Sequence, residues 1–215
     1  TRGCRDIRFR ITKARLRDLM TMENITRQDL MPLEKYHEQR GDFRRTVMAH
    51  KATRQIAIGP HATLYFEDRL TVQYQIQEML RVERIFEAAA IEEELAAYNP
   101  LIPDGTNWKA TFMLEYEDEK ERAVALGQLV GVEDRVWAQI DNCERIWAIA
   151  DEDLERSRET KTAAVHFLRF EFPESMLKRA RSGATVAFGI EHEHYTFKAG
   201  PIEALANAAL VADFS

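Results

Sequence analysis

The stretch LTVQYQIQEMLRVERIFE, residues 70–87, carries the clearest periodic signal in the sequence. Its apolar residues recur three and four positions apart, as they do on one face of an α-helix, and neither Gly nor Pro interrupts them. The apolar face consists of Val72, Ile76, Met79, Leu80 and Phe86. The spacing therefore predicts one long amphipathic helix over residues 70–87.

Segments with strand character follow this helix. Residues 108–116 and 161–172 alternate apolar and polar side chains, as half-buried strands do. Residues 135–140 and 145–150 flank a four-residue connection that is typical of a β-hairpin. With the helices around them, these strands predict an α+β fold in which a mixed or largely antiparallel sheet packs against helices.

The remaining helical signals are short. Gly41-Asp42 predicts the end of one helix and the N-cap of the next, which would carry Phe43, Val47 and His50 on one side. Further helices are predicted for residues 119–130 and 201–211.

The 215 residues are 31% charged and 45% hydrophobic, a balance typical of a globular chain. It excludes a disordered protein, and no apolar run approaches the roughly 18 residues that span a bilayer. Cys4 and Cys143 belong to no C-x-x-C pair, so neither a cysteine zinc site nor a disulfide framework is indicated. We expect a cytoplasmic protein with one α+β domain over residues 22–215.

The net charge of −6 conceals a basic N-terminal part. Residues 1–54 hold 14 Lys and Arg against 7 Asp and Glu, and half of the 14 fall within residues 1–20. Residues 1–21 are therefore interpreted as a basic extension outside the domain. A nucleic-acid partner is not favoured, because the rest of the chain is acidic and no stacking aromatic residues alternate with the arginines.

Glu83 conflicts with the helical pattern. On a wheel of about 100° per residue it falls inside the apolar arc, between Val72 and Ile76. A carboxylate in a core has to be paired, hydrogen-bonded, protonated or bound to a metal ion. Glu83 is therefore half of a structural ion pair, a residue rotated outward by a kink, or an acid/base or metal-ligand carboxylate.

His166 conflicts with the strand pattern in the same way. Alternation along residues 161–172 puts it on the more apolar face and puts Arg169 on the opposite face. One alternative is a core imidazole with a backbone hydrogen bond. The other is a metal ligand or proton shuttle opposite Glu83. The catalytic candidates are Glu83, His166 and Arg169.

Other histidines extend the metal alternative. His192 and His194 alternate along a predicted strand, a spacing that can chelate one ion. The segments that end at His37 and His194 both match the E-x-x-H spacing of carboxylate metal sites. His61 or Glu67 would complete a metal site together with Glu83 and His166. The candidate ligands for a divalent metal ion are Glu83, His166, His61, His192 and His194.

Five segments together resemble one known family. They are residues 25–33 (ITRQDLMPL), 58–61 (IGPH), 74–85 (YQIQEMLRVERI), 98–105 (YNPLIPDG) and 165–170 (VHFLRF). The set is similar to a family of uncharacterised bacterial proteins, domain of unknown function 3501, over about residues 23–190. The resemblance brings no reaction and no catalytic residue with it.

The resemblance implies a function through the genes that lie beside those of the family. Genes of this family lie beside those for rubrerythrin-like and iron–sulfur electron-transfer proteins, which implies a role in redox or peroxide defence. We therefore expect an accessory or binding protein of a bacterial redox system, with a protein partner in that system. The alternative is a metal-dependent enzyme with a carboxylate and histidine site.

Overall fold

The computed structural model describes residues 23–150 and 161–215. The predicted basic extension, residues 1–21, and the charged stretch of residues 151–160 lie outside this part of the chain. Six α-helices lie within it: α1 (Leu33–Lys51), α2 (Arg69–Val82), α3 (Ala88–Tyr98), α4 (Glu119–Gln128), α5 (Glu174–Arg181) and α6 (Ala204–Val211). None of the helices formed by these described residues is both long and apolar enough to cross a membrane.

Nine strands in the described residues form two sheets. They are β1 (Gln55–Ala57), β2 (Ala62–Phe66), β3 (Asn107–Leu114), β4 (Val136–Ile140), β5 (Ile146–Trp147), β6 (Ile149–Ala150), β7 (Val165–Glu171), β8 (Val186–His192) and β9 (Tyr195–Ala199). One sheet has the order β1-β2-β3-β7-β6 and the other β5-β4-β8-β9, with every pairing antiparallel. The predicted α+β class is confirmed, with two sheets where the sequence suggested one.

The change of sheet occurs inside the predicted hairpin. β4 pairs with β5 as the sequence predicts, with Trp137 opposite Trp147. Two residues later β6 leaves this sheet and pairs with β7, placing Ile149 opposite Arg169. Ala148 therefore lies at the crossing between the sheets.

The inner faces of both sheets share one apolar core. Along β7 the side chains alternate between half-buried and buried, and Trp108 of β3 lies opposite Phe170 of β7. Phe188 of β8 brings the second sheet against them, with its ring centroid 5.7 Å from that of Trp108. The strand predicted over residues 161–172 is present but shorter, Val165–Glu171, and its buried face, with His166, Leu168 and Phe170, is as predicted.

Helix α2 is shorter than predicted. It begins at Arg69, ends at Val82, and is followed by Arg84 in the left-handed region with φ of 56°. The wheel therefore does not extend to Phe86, whose side chain is 62% exposed. The predicted length was wrong because the apolar spacing carries past the residue that turns the backbone.

Helix α1 is longer than predicted. Gly41 and Asp42 lie inside one continuous helix, and Asp42 pairs with Arg45 one turn later. A glycine costs an exposed helix interior only about 1 kcal/mol, which the burial of Phe43 and Val47 outweighs. The predicted break was wrong for this reason.

Gly189 is the tightest position between the strands of the second sheet. A Cβ atom there would lie 2.2 Å from Cζ2 of Trp137, its partner across β4, and 2.9 Å from the carbonyl oxygen of Phe197. Trp137 is buried and cannot move away. A Cβ at Gly41, by contrast, meets nothing within 4 Å.

We expect Gly189→Ala to lower the free energy of unfolding by about 2 kcal/mol or more, because the added methyl overpacks the core. Gly41→Ala is the matched control and should raise it by about 0.5–1 kcal/mol. Urea unfolding followed by circular dichroism measures both. Equal stability of the two variants would contradict this packing.

Candidate functional site

A pocket of about 320 Å³ lies where the end of α1, the start of α2 and the helix α6 meet. Its polar lining is His50, Thr53, Arg54, Asp68, Arg69 and Asp213, and its apolar lining is Ile102, Pro103, Ala208, Ala209 and Ala212. Charged side chains thus lie beside small apolar walls, which is the usual composition of a small-molecule site.

Asp68 and His50 form a dyad in this pocket. Asp68 is the N-cap of α2, and its Oδ1 accepts a hydrogen bond of 2.9 Å from the backbone N–H of Thr71. Its Oδ2 lies 2.5 Å from Nε2 of His50, near the end of α1. The helix start therefore fixes the carboxylate, and the carboxylate orients the imidazole. Nδ1 of His50 has no hydrogen-bond partner among the described residues.

Arg54 lies behind the dyad with 2% of its side chain exposed. Its Nη2 donates to Oδ2 of Asp213 at 2.5 Å, its Nη1 donates to the carbonyl of Ala209 at 2.8 Å, and its Nε lies 3.5 Å from Oδ2 of Asp68. One guanidinium therefore holds two acids that come from distant parts of the chain.

The two acids differ in pKa. Burial raises the pKa of Asp213 to about 6 in spite of the charge on Arg54. Burial also acts to raise the pKa of Asp68, but the hydrogen bond with His50 and the charge of Arg54 outweigh it and hold that pKa below its usual range. As the pH falls, Asp213 therefore takes up a proton well before Asp68 does.

Arg69, the first residue of α2, is buried in the pocket wall. Its Nε donates to the carbonyl of Glu23 at 3.1 Å, and its Nη2 lies 2.9 Å from Oδ1 of Asp29. Nη1 of Arg69 and Oδ1 of Asp213 have no hydrogen-bond partner in the described part of the chain. The lining therefore has polar atoms on Arg69 and Asp213 with which a ligand's polar group could pair.

The structure places Glu83 outside this site and outside the core. It is the exposed C-cap of α2. Of the alternatives for Glu83, the structure supports the one in which its side chain turns outward, because the helix ends one residue before it; Glu83 therefore does not lie opposite His166 in the core. The ion pair on this helix joins Glu78 to Arg81 and includes Arg40 of α1.

His166 is buried, as predicted, but beside a different carboxylate. Its Nε2 lies 2.8 Å from Oγ1 of Thr162, 3.1 Å from the carbonyl of Ala163 and 3.8 Å from Oε2 of Glu133. Glu133 is the acid that sequence reasoning missed, because only the packing of the two sheets brings it near β7. Arg169 lies on the other face and donates to Oε2 of Glu171 at 2.5 Å.

The other candidate ligands have separate roles. His61 stacks on Tyr116 at 4.1 Å, and its Nδ1 lies 3.1 Å from the carbonyl of Glu115. Glu67 is buried and accepts hydrogen bonds from three polar side chains, those of Thr71, Gln75 and Thr111.

His192 and His194 do not alternate along a strand, because β8 ends at His192 and the next two residues form a turn. Nε2 of His192 meets the carbonyl of Val130 at 3.1 Å, and its Nδ1 accepts from the backbone N–H of His194. Both ring nitrogens are thereby occupied. Glu34 and His37 are exposed on α1. Among the described residues, no group of three or more His, Cys, Asp or Glu side chains is arranged to hold a metal ion.

The polar residues that carry the site were not predicted as site residues from the sequence: His50, Arg54, Asp68, Arg69 and Asp213. His50 lies on the predicted side of α1, but nothing local marks it as functional. Asp68 and Thr71 form a capping box, a readable signal for the start of a helix but not for a site. Asp213 follows an Ala-rich helix and carries no local signal at all.

Residues 24–214 match the model of a family described as Protein of unknown function (DUF3501). The chain belongs to the DUF3501 family. The predicted resemblance is confirmed, and the match extends beyond the predicted limit to the end of α6 and to Asp213.

A solved structure agrees with the fold of this DUF3501 protein. It is the 1.90 Å crystal structure of a novel protein of unknown function from Burkholderia pseudomallei K96243, which is 46% identical. The alignment covers 90% of this chain and 100% of that chain, with a TM-score of 0.86. The comparison with curated proteins gave no match.

The protonation of Asp213 leads to a test by pH. Because its pKa is about 6 in the fold against an ordinary value of 3.8, the folded state takes up the proton first as the pH falls. Asp213 therefore destabilises the fold above pH 6, and this penalty disappears as the pH falls from 6 towards 4. We expect Asp213→Asn to be more stable than the parent at pH 8, by up to about 3 kcal/mol, and equally stable near pH 4.

Urea unfolding at both pH values measures this difference. Asp134→Asn, at an exposed position, is the matched control and should show the same small difference at pH 8 and pH 4. A pH-independent effect of Asp213→Asn would contradict the assigned protonation.

Proposed function

We propose that this protein binds a small organic molecule in the pocket and that His50 exchanges a proton with it. In this role His50 is the acid/base group, Asp68 orients it, and Arg54 positions Asp68 and Asp213. Reactions of this class include proton abstraction, proton donation to a leaving group, and activation of a water molecule.

The 2.5 Å contact between Nε2 of His50 and Oδ2 of Asp68 carries this proposal. A carboxylate that accepts from Nε2–H holds the neutral imidazole in one tautomer, so the lone pair of Nδ1 remains for a ligand. Asp213 supports the assignment, because burial raises the pKa of this second titratable group in the same pocket to about 6.

The pocket's walls support a small, partly apolar ligand. The volume of about 320 Å³ lies at the lower end of ligand sites, and a helix of small residues forms one side. A ligand's acidic or hydrogen-bonding group would be recognised by the imidazole of His50 and the guanidinium of Arg69, which both line the pocket.

The more specific expectations from the sequence remain predictions, in addition to the function proposed above. An accessory role in a redox system is compatible with a ligand-binding pocket, although none of its described lining residues carries a thiol. A cytoplasmic location and a protein partner likewise stay predictions. The divalent-metal alternative has no ligand cluster in the described residues to support it.

We expect at least one of three single-ring probes, benzoate, phenol or benzylamine, to bind the wild-type chain in saturation-transfer NMR. His50→Gln should weaken that binding at least 10-fold, because it removes the ionisable ring. His37→Gln makes the same change at an exposed position of the same helix and should leave binding within twofold.

A second pair of variants tests the location. Ala209→Trp fills the pocket from α6 and should abolish probe binding, while Leu205→Trp, at a position 75% exposed on the same helix, should not. Imidazole ¹⁵N shifts should show the Nε2–H tautomer for His50 in the free protein. Absence of binding by all three probes to the folded wild type would overturn the proposal.

A further inference from the structure

Glu67 lies between the end of β2 and the start of α2, outside the lining of the pocket. Only 3% of the residue is exposed, and the three side chains that donate to its carboxylate are all neutral. Oε1 accepts from Oγ1 of Thr111 at 2.8 Å. Oε2 accepts from Oγ1 of Thr71 at 2.5 Å and from Nε2 of Gln75 at 2.9 Å. A carboxylate is costly to bury among neutral groups, so its presence here needs a reason beyond filling space.

The hydroxyl of Thr71 connects this carboxylate with Asp68. Its single proton has two acceptors within reach, Oε2 of Glu67 at 2.5 Å and the carbonyl oxygen of Asp68 at 3.0 Å. The shorter contact, which has the charged acceptor, takes the proton. A lone pair of the same hydroxyl then accepts from the backbone N–H of Asp68 at 2.9 Å. The carboxylate of Glu67 thus fixes the orientation in which the hydroxyl holds Asp68.

Asp68 is held at two points by this threonine. Its backbone N–H donates to Oγ1 of Thr71, and its Oδ1 accepts from the backbone N–H of Thr71 at 2.9 Å. With Oδ1 occupied in this way, Oδ2 is the oxygen that meets Nε2 of His50 at 2.5 Å. The orientation of the imidazole therefore depends on a hydroxyl that it does not contact.

The backbone of Glu67 holds a second partner of Asp68. Its carbonyl oxygen accepts from Nη2 of Arg54 at 3.1 Å, and its N–H donates to the carbonyl of Lys109 in β3 at 2.9 Å. Nε of the same arginine lies 3.5 Å from Oδ2 of Asp68. One residue, anchored to the first sheet, therefore contacts both Thr71 and Arg54, the two groups that hold Asp68 beside the imidazole.

From this geometry we infer that Glu67 is a positioning residue for the dyad of the pocket. It orients Asp68 through Thr71 and Arg54, and Asp68 in turn sets the direction of the His50 imidazole. Neither Glu67 nor Thr71 lines the pocket, so both act on the dyad and not on a ligand. The inference rests on the proposed function for its chemical meaning, whereas the positioning itself is a property of the free protein.

The test follows the proton on Nε2 of His50 by NMR in the full chain without a ligand. The hydrogen bond to Asp68 protects this proton, so its exchange with water reports how firmly the carboxylate is held. We expect exchange to be about 10-fold faster or more in Thr71→Val, which removes the hydroxyl, and in Glu67→Met, which removes its acceptor. The double variant should exchange no faster than the faster single variant, because both changes interrupt one chain of contacts.

Thr111→Val is the matched control. It removes a hydroxyl from the other oxygen of the same carboxylate, away from Asp68, so exchange of the His50 proton should stay within about twofold of wild type. Thr71→Ser keeps the hydroxyl and should stay within about threefold. Circular dichroism shows which variants fold, and if Glu67→Met does not fold, the comparison of Thr71→Val with Thr111→Val decides.

Either of two results contradicts the inference. One is folded Thr71→Val in which the His50 proton exchanges within about twofold of wild type. The other is an equal acceleration in Thr111→Val, which would indicate a general loosening of the core.

The ring probes separate this inference from the proposed function. If no probe binds the wild type but the exchange results are as expected, only the acid/base role of His50 fails. If a probe binds and His50→Gln weakens its binding, while exchange in Thr71→Val is unchanged, only the positioning role of Glu67 fails.

Discussion

The buried guanidinium of Arg54 is the interaction on which the site depends. Its hydrogen bonds reach the carbonyls of Phe66 and Glu67 at the end of β2, the carbonyl of Ala209 in α6, and Asp213. A charge removed from water in this way has to be compensated by fixed partners, since an unpaired buried charge costs several kcal/mol. The first sheet, the start of α2 and the C-terminal helix therefore converge on one residue, and the pocket lies where they meet.

The same compensation separates the two acids of the pocket. Asp68 has a helix start, an imidazole and a guanidinium to stabilise its charge, whereas Asp213 has the guanidinium and little water. One cluster thus produces a structural ion pair and a carboxyl whose pKa is about 6.

Helix α2 connects the pocket with the segment of residues 23–31. Its first turn supplies Arg69 to both, and its middle supplies Gln73 and Gln77 to the backbone of residues 23–31. These glutamines are buried although they are polar, because the segment covers them. From the pattern of apolar and polar residues alone, both glutamines are expected to face solvent. Only the contacts with residues 23–31 show that their side-chain amides hydrogen-bond to that segment's backbone, as a neighbouring strand would.

The sequence by itself determined the class of the fold, the presence of the strands Asn107–Leu114 and Val165–Glu171, the burial of His166, and the family. These features follow from local periodicity and from motifs, which short windows of residues contain. The ends of α2 and the continuity of α1 depend on backbone turns and packing, which short stretches of sequence do not show.

Only the tertiary structure decided which side chains meet. His50, Asp68 and Asp213 are far apart in the chain and come together because one buried cation needs anionic and carbonyl partners from several elements. His166 meets Glu133 and not Glu83 for a related reason, since a helix that ends one residue earlier turns its last carboxylate to solvent. Periodicity specifies the face of a helix or strand on which a residue lies. The partner of a buried charged residue depends on charge compensation in the core, which involves residues from the whole fold.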